Sequence, residues 1–329
     1  MVMKKFLNDP DNVVAELLEG YALAFPQTIR LDQDGLIVRA KPKDAGKVAV
    51  VTLGGSGHEP ALSGLVGQGL LDLSVPGNVF AAPGPPKCLA ALKKADLGAG
   101  ILLVVLNHAG DMLTAGVTME MAEELGLNVS RVTTQEDIAG EPGDRRGLAG
   151  CLFVYKIAGA AAERGDSLAE VTRLAEKINA DMRTLAVAVR PATHPNTGQA
   201  IFELPDDEME VGMGQHGEGG TGRMKLKSAD ETAELMINAL LADLGAKSGD
   251  RLLLMLNGVG ATTLMELFVI FRKVHQVCAA KGIAIVGSAI DEFLTVQEMA
   301  GFQMCAARVD DELLALWQAP CDAPYFKVR

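Results

Sequence analysis

Lys47-Val48-Ala49-Val50-Val51-Thr52-Leu53 runs directly into Gly54-Gly55-Ser56-Gly57-His58-Glu59-Pro60. The first seven residues are mostly apolar and rich in β-branched side chains, which predicts a strand over 47–53. A glycine-rich loop directly after a strand offers bare N–H groups to an oxyanion or a hydroxyl. Two nucleotide fingerprints fail here. The dinucleotide motif needs a third glycine where this chain has Pro60. A phosphate-cradling P-loop needs a Gly-Lys-Ser/Thr that does not follow. What remains is a loop of amides, from Gly55, Ser56 and Gly57, with one titratable side chain, His58. A tight turn with an incidental histidine is the plainer alternative.

Outward from this stretch, short apolar runs alternate with helical patterns. Ala99–Leu106 is continuously apolar, as a strand covered on both faces should be. Met119–Leu125 reads as a helix stopped at Gly126, and Asn128–Thr133 as the next strand. Ala149–Glu163 and Ser167–Leu185 read as helices divided at Gly165, with Ser167 as N-cap and Glu170 three residues on. Leu185–Val189 is a further short strand. Pro191–Gly220 is rich in Pro, Gly and acids, and marks a junction. Beyond it come a helix (Ala229–Leu244), a strand (Arg251–Leu256), a turn (Asn257–Gly260), a helix (Thr263–Lys281) and strands at Ala284–Ser288 and Phe302–Val309. The pattern predicts an α/β protein of two domains, 1–190 and 191–329, with mainly parallel or mixed sheets.

The net charge is −12 and no basic block or aromatic platform interrupts it, so nucleic acid and anionic membranes are poor partners. The longest apolar run, Ile101–Leu106, is too short to span a bilayer, and no apolar stretch follows Lys4 and Lys5. Five scattered cysteines without a Cys-x-x-Cys pair suit buried free thiols in a reducing compartment. The cytoplasm is the expected location.

Two more loops bear on chemistry. Asn107-His108-Ala109-Gly110-Asp111 follows the most apolar run, and ligands of open α/β sheets gather beyond the carboxyl ends of strands. Asp111 can orient a histidine or accept a proton from a hydroxyl, or it can be only a helix cap. Gly212-Met213-Gly214-Gln215-His216-Gly217-Glu218-Gly219-Gly220 places an imidazole on a loop with five glycines. His58, Asp111 and His216, without a lysine, cysteine or metal cluster, point to hydroxyl or carbonyl chemistry. A neutral imidazole nitrogen attacking a ketone would give a hemiaminal, and His58 with Asp111 could activate a hydroxyl. His275 on a helix and His194 before Pro195 read as structural. Asp206, Asp207, Glu208 and Glu210 read as a solvated acidic face.

These blocks, in order, resemble the dihydroxyacetone-binding subunit of dihydroxyacetone kinases. The resemblance runs end to end, through Lys4–Pro10, Gly54–Pro60, Gly110-Asp111, Arg145–Gly150, Lys156–Gly165, Phe202–Leu204, His216–Glu218, Asn257–Gly260 and Ala315–Pro320. It implies a two-domain α/β subunit that forms a homodimer. His216 would hold a short ketose as a covalent hemiaminal, His58 and Asp111 would act on the hydroxyl that receives the phosphoryl group, and the Gly55–Ser56 backbone would contact substrate. It implies no cofactor and no metal on this chain. ADP or ATP with Mg²⁺ would sit on a separate helical subunit, fed by a phosphotransferase-system protein from phosphoenolpyruvate. Some substrate-side positions depart from the family pattern. Ala81 and Ala82 stand where hydroxyl residues are usual, and Leu106 and His108 stand where a lysine and a tyrosine flank the asparagine. A less polar pocket would suit a four-carbon ketose such as erythrulose, or a regulatory ketose-binding paralogue.

Overall fold

The computed structural model describes residues 4–220 and 222–329. They form two compact units that interleave along the chain. One comprises Lys5–Thr134, Cys151–Asn179 and Glu312–Arg329; the other contains Gln135–Gly150 and Ala180–Asp311. The sequence reading had a single boundary at 190 instead. Two chain crossings near 134 and 150 and one near 180 carry no composition change that would announce them.

The first unit starts with helix α1 (Val13–Ala24) and a hairpin of β1 (Ile29–Leu31) and β2 (Ile37–Arg39). Then come β3 (Ala49–Ser56), β4 (Leu73–Val79), α2 (Pro85–Ala95), β5 (Ile101–Leu106), α3 (Ala109–Glu124), β6 (Val129–Thr134), α4 (Cys151–Arg164) and α5 (Leu168–Ala180). The sheet order is β1-β2-β4-β3-β5-β6, with β4, β3, β5 and β6 parallel and the hairpin antiparallel at the edge. Strand periodicity divides the faces. Ala49, Val51, Leu53, Ile101, Leu103 and Val105 pack with Cys88, Leu92 and Ala115 of α2 and α3. The alternate residues face α4, where the Tyr155 hydroxyl lies 3.0 Å from Thr52 Oγ1. Every residue of β5 is buried, and each large aliphatic side chain contributes about 1.5–3 kcal/mol on leaving water.

Helix α4 is buried on all sides from Cys151 to Ala162. Gly159 is required there, because a Cβ would lie 2.5 Å from the Leu70 carbonyl oxygen. Lys156, fully buried in this helix, donates to the Leu316 carbonyl at 2.6 Å, and burial pushes its ammonium down to about 8. The α5 helix ends at Ala180, short of the expected Leu185. The next strand claims Met182 onward, because its residues pair across the second sheet.

The second unit holds β7 (Met182–Arg190), β8 (Glu208–Val211), β9 (Gly222–Lys225), α6 (Ala229–Leu244), β10 (Arg251–Gly258), α7 (Leu264–Ala280), β11 (Ala284–Asp291) and β12 (Ala300–Arg308). Its sheet order is β11-β10-β12-β7-β8-β9, and only β10 with β11 is parallel. Mixed pairing is the more accurate half of the expected description here. Helices α6 and α7 begin with complete capping boxes, Ser228 with Glu231 and Thr263 with Glu266. Their apolar faces cover Leu252, Leu254, Leu256, Phe302, Met304 and Ala306. The stretch Pro191–Gly220 is an excursion within this unit, since β8 pairs with β7. The chain then returns to the first unit as α8 (Asp311–Gln318) and the pair β13 (Cys321–Ala323) and β14 (Phe326–Val328). All five cysteines are free and buried, as expected.

Glu136 gives the second unit a pH signature. It is fully buried, its Oε1 accepts from Leu148 N and Gly150 N (2.8 and 2.9 Å), and burial pushes it from its ordinary 4.5 to about 7. An acid with a raised folded pKa binds more protons folded than unfolded. Its contribution is therefore fully present below about 4.5 and is lost as pH rises through 7. The loss amounts to something on the order of 3 kcal/mol. Glu136→Gln keeps the neutral shape, so its stability in denaturant melts at pH 5 and pH 8 is expected to lack this drop. Equal pH slopes in both proteins would refute the assignment.

Candidate functional site

In the first unit, β3 extends through Gly54–Ser56, so the glycines expected in a loop are the last residues of the strand. They are glycines for lack of room. A Cβ at Gly54 would lie 2.7 Å from Leu62 Cδ1, and one at Gly55 would lie 2.7 Å from Ala81 N. Gly57 takes φ +100°, the conformation glycine adopts most readily. The Ser56 hydroxyl donates to the Gly77 carbonyl at 2.8 Å, and its own carbonyl accepts from Phe80 N at 2.8 Å. That hydroxyl thus pins the neighbouring segment. His58 follows, 4% exposed, with its ring 5.1 Å from that of Phe80. Phe80 itself has φ +55°, a conformation a phenylalanine holds only under constraint from its surroundings. Both Glu59 carboxylate oxygens accept from Gly57 N (3.1 and 3.0 Å), while burial pushes this acid up.

The β5–α3 loop lies at the same end of the sheet, since β3 and β5 run parallel. His108, in extended conformation, occupies the N-cap position of α3, and its side chain makes no capping bond. Asp111 is therefore in the first turn rather than at the cap, and it is buried. Its charge is felt by two buried neighbours. Desolvation pushes the Cys88 thiol up to about 12, with Asp111 adding to the rise, and Tyr155 is raised mainly by burial with a smaller contribution from Asp111. The segment 80–83 links the two loops. Phe80 stacks near His58, Ala82 lies where a Gly110 Cβ would be 3.5 Å away, and Thr114 Oγ1 donates to the Pro83 carbonyl at 3.0 Å. Ala82, one of the positions that depart from the family pattern, thus stands beside the turn that carries Asp111, and Phe80, two residues before it, lies against His58.

In the second unit, β8 leads into Gly212 (φ +78°), and Gly217 (φ +87°) follows His216. Glu218 grips the histidine twice. One carboxylate oxygen accepts from His216 N at 2.8 Å, and the other lies 3.0 Å from His216 Nδ1. A carboxylate only accepts, so in the neutral imidazole this contact places the proton on Nδ1 and the lone pair on Nε2. A neutral imidazole with an Nε2 lone pair is a nucleophile. The role of Glu218 was not read from the sequence, though an acid two residues after the histidine was visible.

The remaining candidates fall into structural roles. His275 is exposed on α7 near Phe271, and His194 Nδ1 accepts from Asn196 N in a loop. Asp206 and Asp207 are exposed, as expected of a solvated face, whereas Glu208 is half-buried and Glu210 is buried; Asp207 and Glu208 pair with Lys225, and Glu210 with Arg223. Among the described residues, no helix is long and apolar enough to cross a membrane.

The sequence model of the Dak1 domain matches residues 19–325. This chain belongs to the Dak1 domain family. Among curated Dak1 relatives, the PTS-dependent dihydroxyacetone kinase 1, dihydroxyacetone-binding subunit DhaK of Listeria innocua is 38% identical over 314 residues, covering 94% of this chain and 95% of its own. Among solved Dak1 structures, the dihydroxyacetone kinase of C. freundii superposes with TM-score 0.91 at 31% identity, over 99% of this chain and 60% of that one. A dihydroxyacetone kinase operon co-activator superposes with TM-score 0.89 at 29% identity, over 94% and 97% of the two chains.

Proposed function

We propose that this chain is the substrate subunit of a dihydroxyacetone-type kinase of the phosphoenolpyruvate-dependent kind. The observation that carries the reading is the Glu218 grip on His216, which fixes the tautomer needed for attack on a ketone. The Nε2 lone pair forms a bond to the keto carbon, and the C=O π pair moves to oxygen. The alkoxide takes a proton from solvent water while Nδ1 gives its own to Glu218, which returns it to solvent, so the hemiaminal is neutral and no net proton is consumed. His58 and Asp111 then accept the proton of the ketose hydroxyl as it receives the phosphoryl group. The Gly55–Ser56 backbone, with Gly57, holds substrate. ADP or ATP with Mg²⁺ belongs on a separate helical subunit, which a phosphotransferase-system protein recharges. The near full-length likeness to a PTS-dependent DhaK subunit supports this division of labour. A homodimer in the cytoplasm completes this reading, as the family resemblance implies.

A second reading, a regulatory ketose-binding protein, is favoured by the likeness to an operon co-activator over 94% of this chain and 97% of that one. The presence of His58 and Asp111 argues for the enzyme, because capture alone needs only the adduct-forming histidine. One experiment separates them. Intact mass spectra are taken after incubation with dihydroxyacetone and each erythrulose enantiomer, then turnover is followed with a nucleotide-loaded helical subunit. The kinase reading expects an adduct and ketose phosphate from the same sugar. An adduct without turnover for any of the three would establish the regulator instead. The preferred sugar reads out what Ala81, Ala82, Leu106 and His108 do to the pocket.

A further inference from the structure

The block Arg145–Gly150 is part of the family resemblance, yet neither the adduct nor the phosphoryl step uses it. Its two arginines diverge. Arg145 makes a fork to Asp243 of α6 (2.9 and 2.5 Å), which fastens the segment to a helix. Arg146 reaches the histidine loop. Its Nη2 donates to the Gly212 carbonyl at 2.8 Å, and its Nη1 donates to the Glu218 carbonyl at 3.4 Å. Its Nε and Nη2 lie 2.9 and 2.7 Å from Asp137 Oδ2, whose side chain is wholly buried. The other Asp137 oxygen accepts from Ala139 N at 3.0 Å. Beside it, Glu136 takes the N–H groups of Leu148 and Gly150, which tethers the segment that follows the arginine.

We propose that Arg146 is a positioning residue, whose guanidinium ties Gly212 to Glu218 and so fixes the His216–Glu218 pair for attack on the ketose. This rests on the reading of His216 as nucleophile. Gly212 and Glu218 are the two ends of the loop that carries His216, and one planar cation holds both carbonyls. Glu218 joins the clamp to the chemistry, since its carbonyl meets Arg146 and its carboxylate meets His216. A loop with this many glycines loses more freedom on ordering than other backbone does, so it needs an external tie to hold one geometry. Attack on a carbonyl tolerates little displacement, because misplacement by about 1 Å costs on the order of a hundredfold in rate. Lysine keeps the charge toward Asp137 but cannot fork to two carbonyls.

The test compares Arg146→Lys with Arg145→Lys in the full-length chain. Amide exchange is read on the peptide covering 212–220, and dihydroxyacetone is titrated by intact mass. Arg146→Lys is expected to speed exchange in that peptide about tenfold, and to raise half-saturation by the ketose about tenfold, with α6 and the unfolding midpoint matching Arg145→Lys. If loop exchange and half-saturation match those of Arg145→Lys, the clamp is refuted. Should Arg146→Lys fail to fold, Arg146→Gln is read the same way, with the same outcomes. A loosened loop alongside a wild-type protein that forms no adduct would overturn the His216 assignment and leave the clamp standing.

Discussion

His216→Ala is expected to abolish the ketose-sized mass increase completely, at every sugar concentration tested. A hemiaminal needs a neutral nitrogen with an available lone pair, and the Glu218 carboxylate supplies that condition at His216 by fixing the proton on Nδ1. The substitution should leave the fold intact, because it removes only the ring's bond to Glu218, while the backbone bonds of Gly212, His216 and Glu218 remain. Circular dichroism and the unfolding midpoint check that point. A mass increase that survives the change, or one that moves to His58, would remove the nucleophile from position 216.

Asp111→Asn is expected to leave the adduct in place and to slow phosphoryl transfer by roughly 10²–10⁴-fold, the range for loss of a general base. Asparagine is nearly the same shape, so the first turn of α3 should persist. The lost charge at the helix N-terminus costs only about 0.3–1 kcal/mol of stability. The rate loss and the stability loss are thus well separated. Single-turnover rates on ketose already bound give the readout, since they exclude binding. An unchanged transfer rate would return Asp111 to the helix start as its whole purpose. The Cys88 thiol offers an independent check, because it should become slightly more acidic once the Asp111 charge is gone.

Much of the first unit was legible in the chain. The all-apolar run 101–106, the glycine at 126 and the cap at 167 gave β5, the end of α3 and the start of α5 within one or two residues. The capped helices of the second unit were equally plain, because the Ser228 and Thr263 boxes are local signals. The β1–β2 hairpin, β4, α2 and the β8–β9 pair were missed. The strands of the two hairpins have only three or four residues each, and their polar residues are paired across strands or with distant partners, as Arg39 is with Asp72 and Glu163. The glycines at 54 and 55 were read as a loop, since nothing local reveals that Leu62 and Ala81 crowd them.

By itself the sequence determined the α/β class, the free buried thiols, and the three residues proposed to bear chemistry, because these follow from periodicity and from side-chain type. Only the tertiary structure decided that the units interleave along the chain, that His108 rather than Asp111 starts α3, and that Glu218 and Arg146 hold the histidine loop. The reason is physical: patterning reports which face a residue buries, whereas a hydrogen bond between positions 146 and 212 exists only once the folded backbone has brought them within 3 Å.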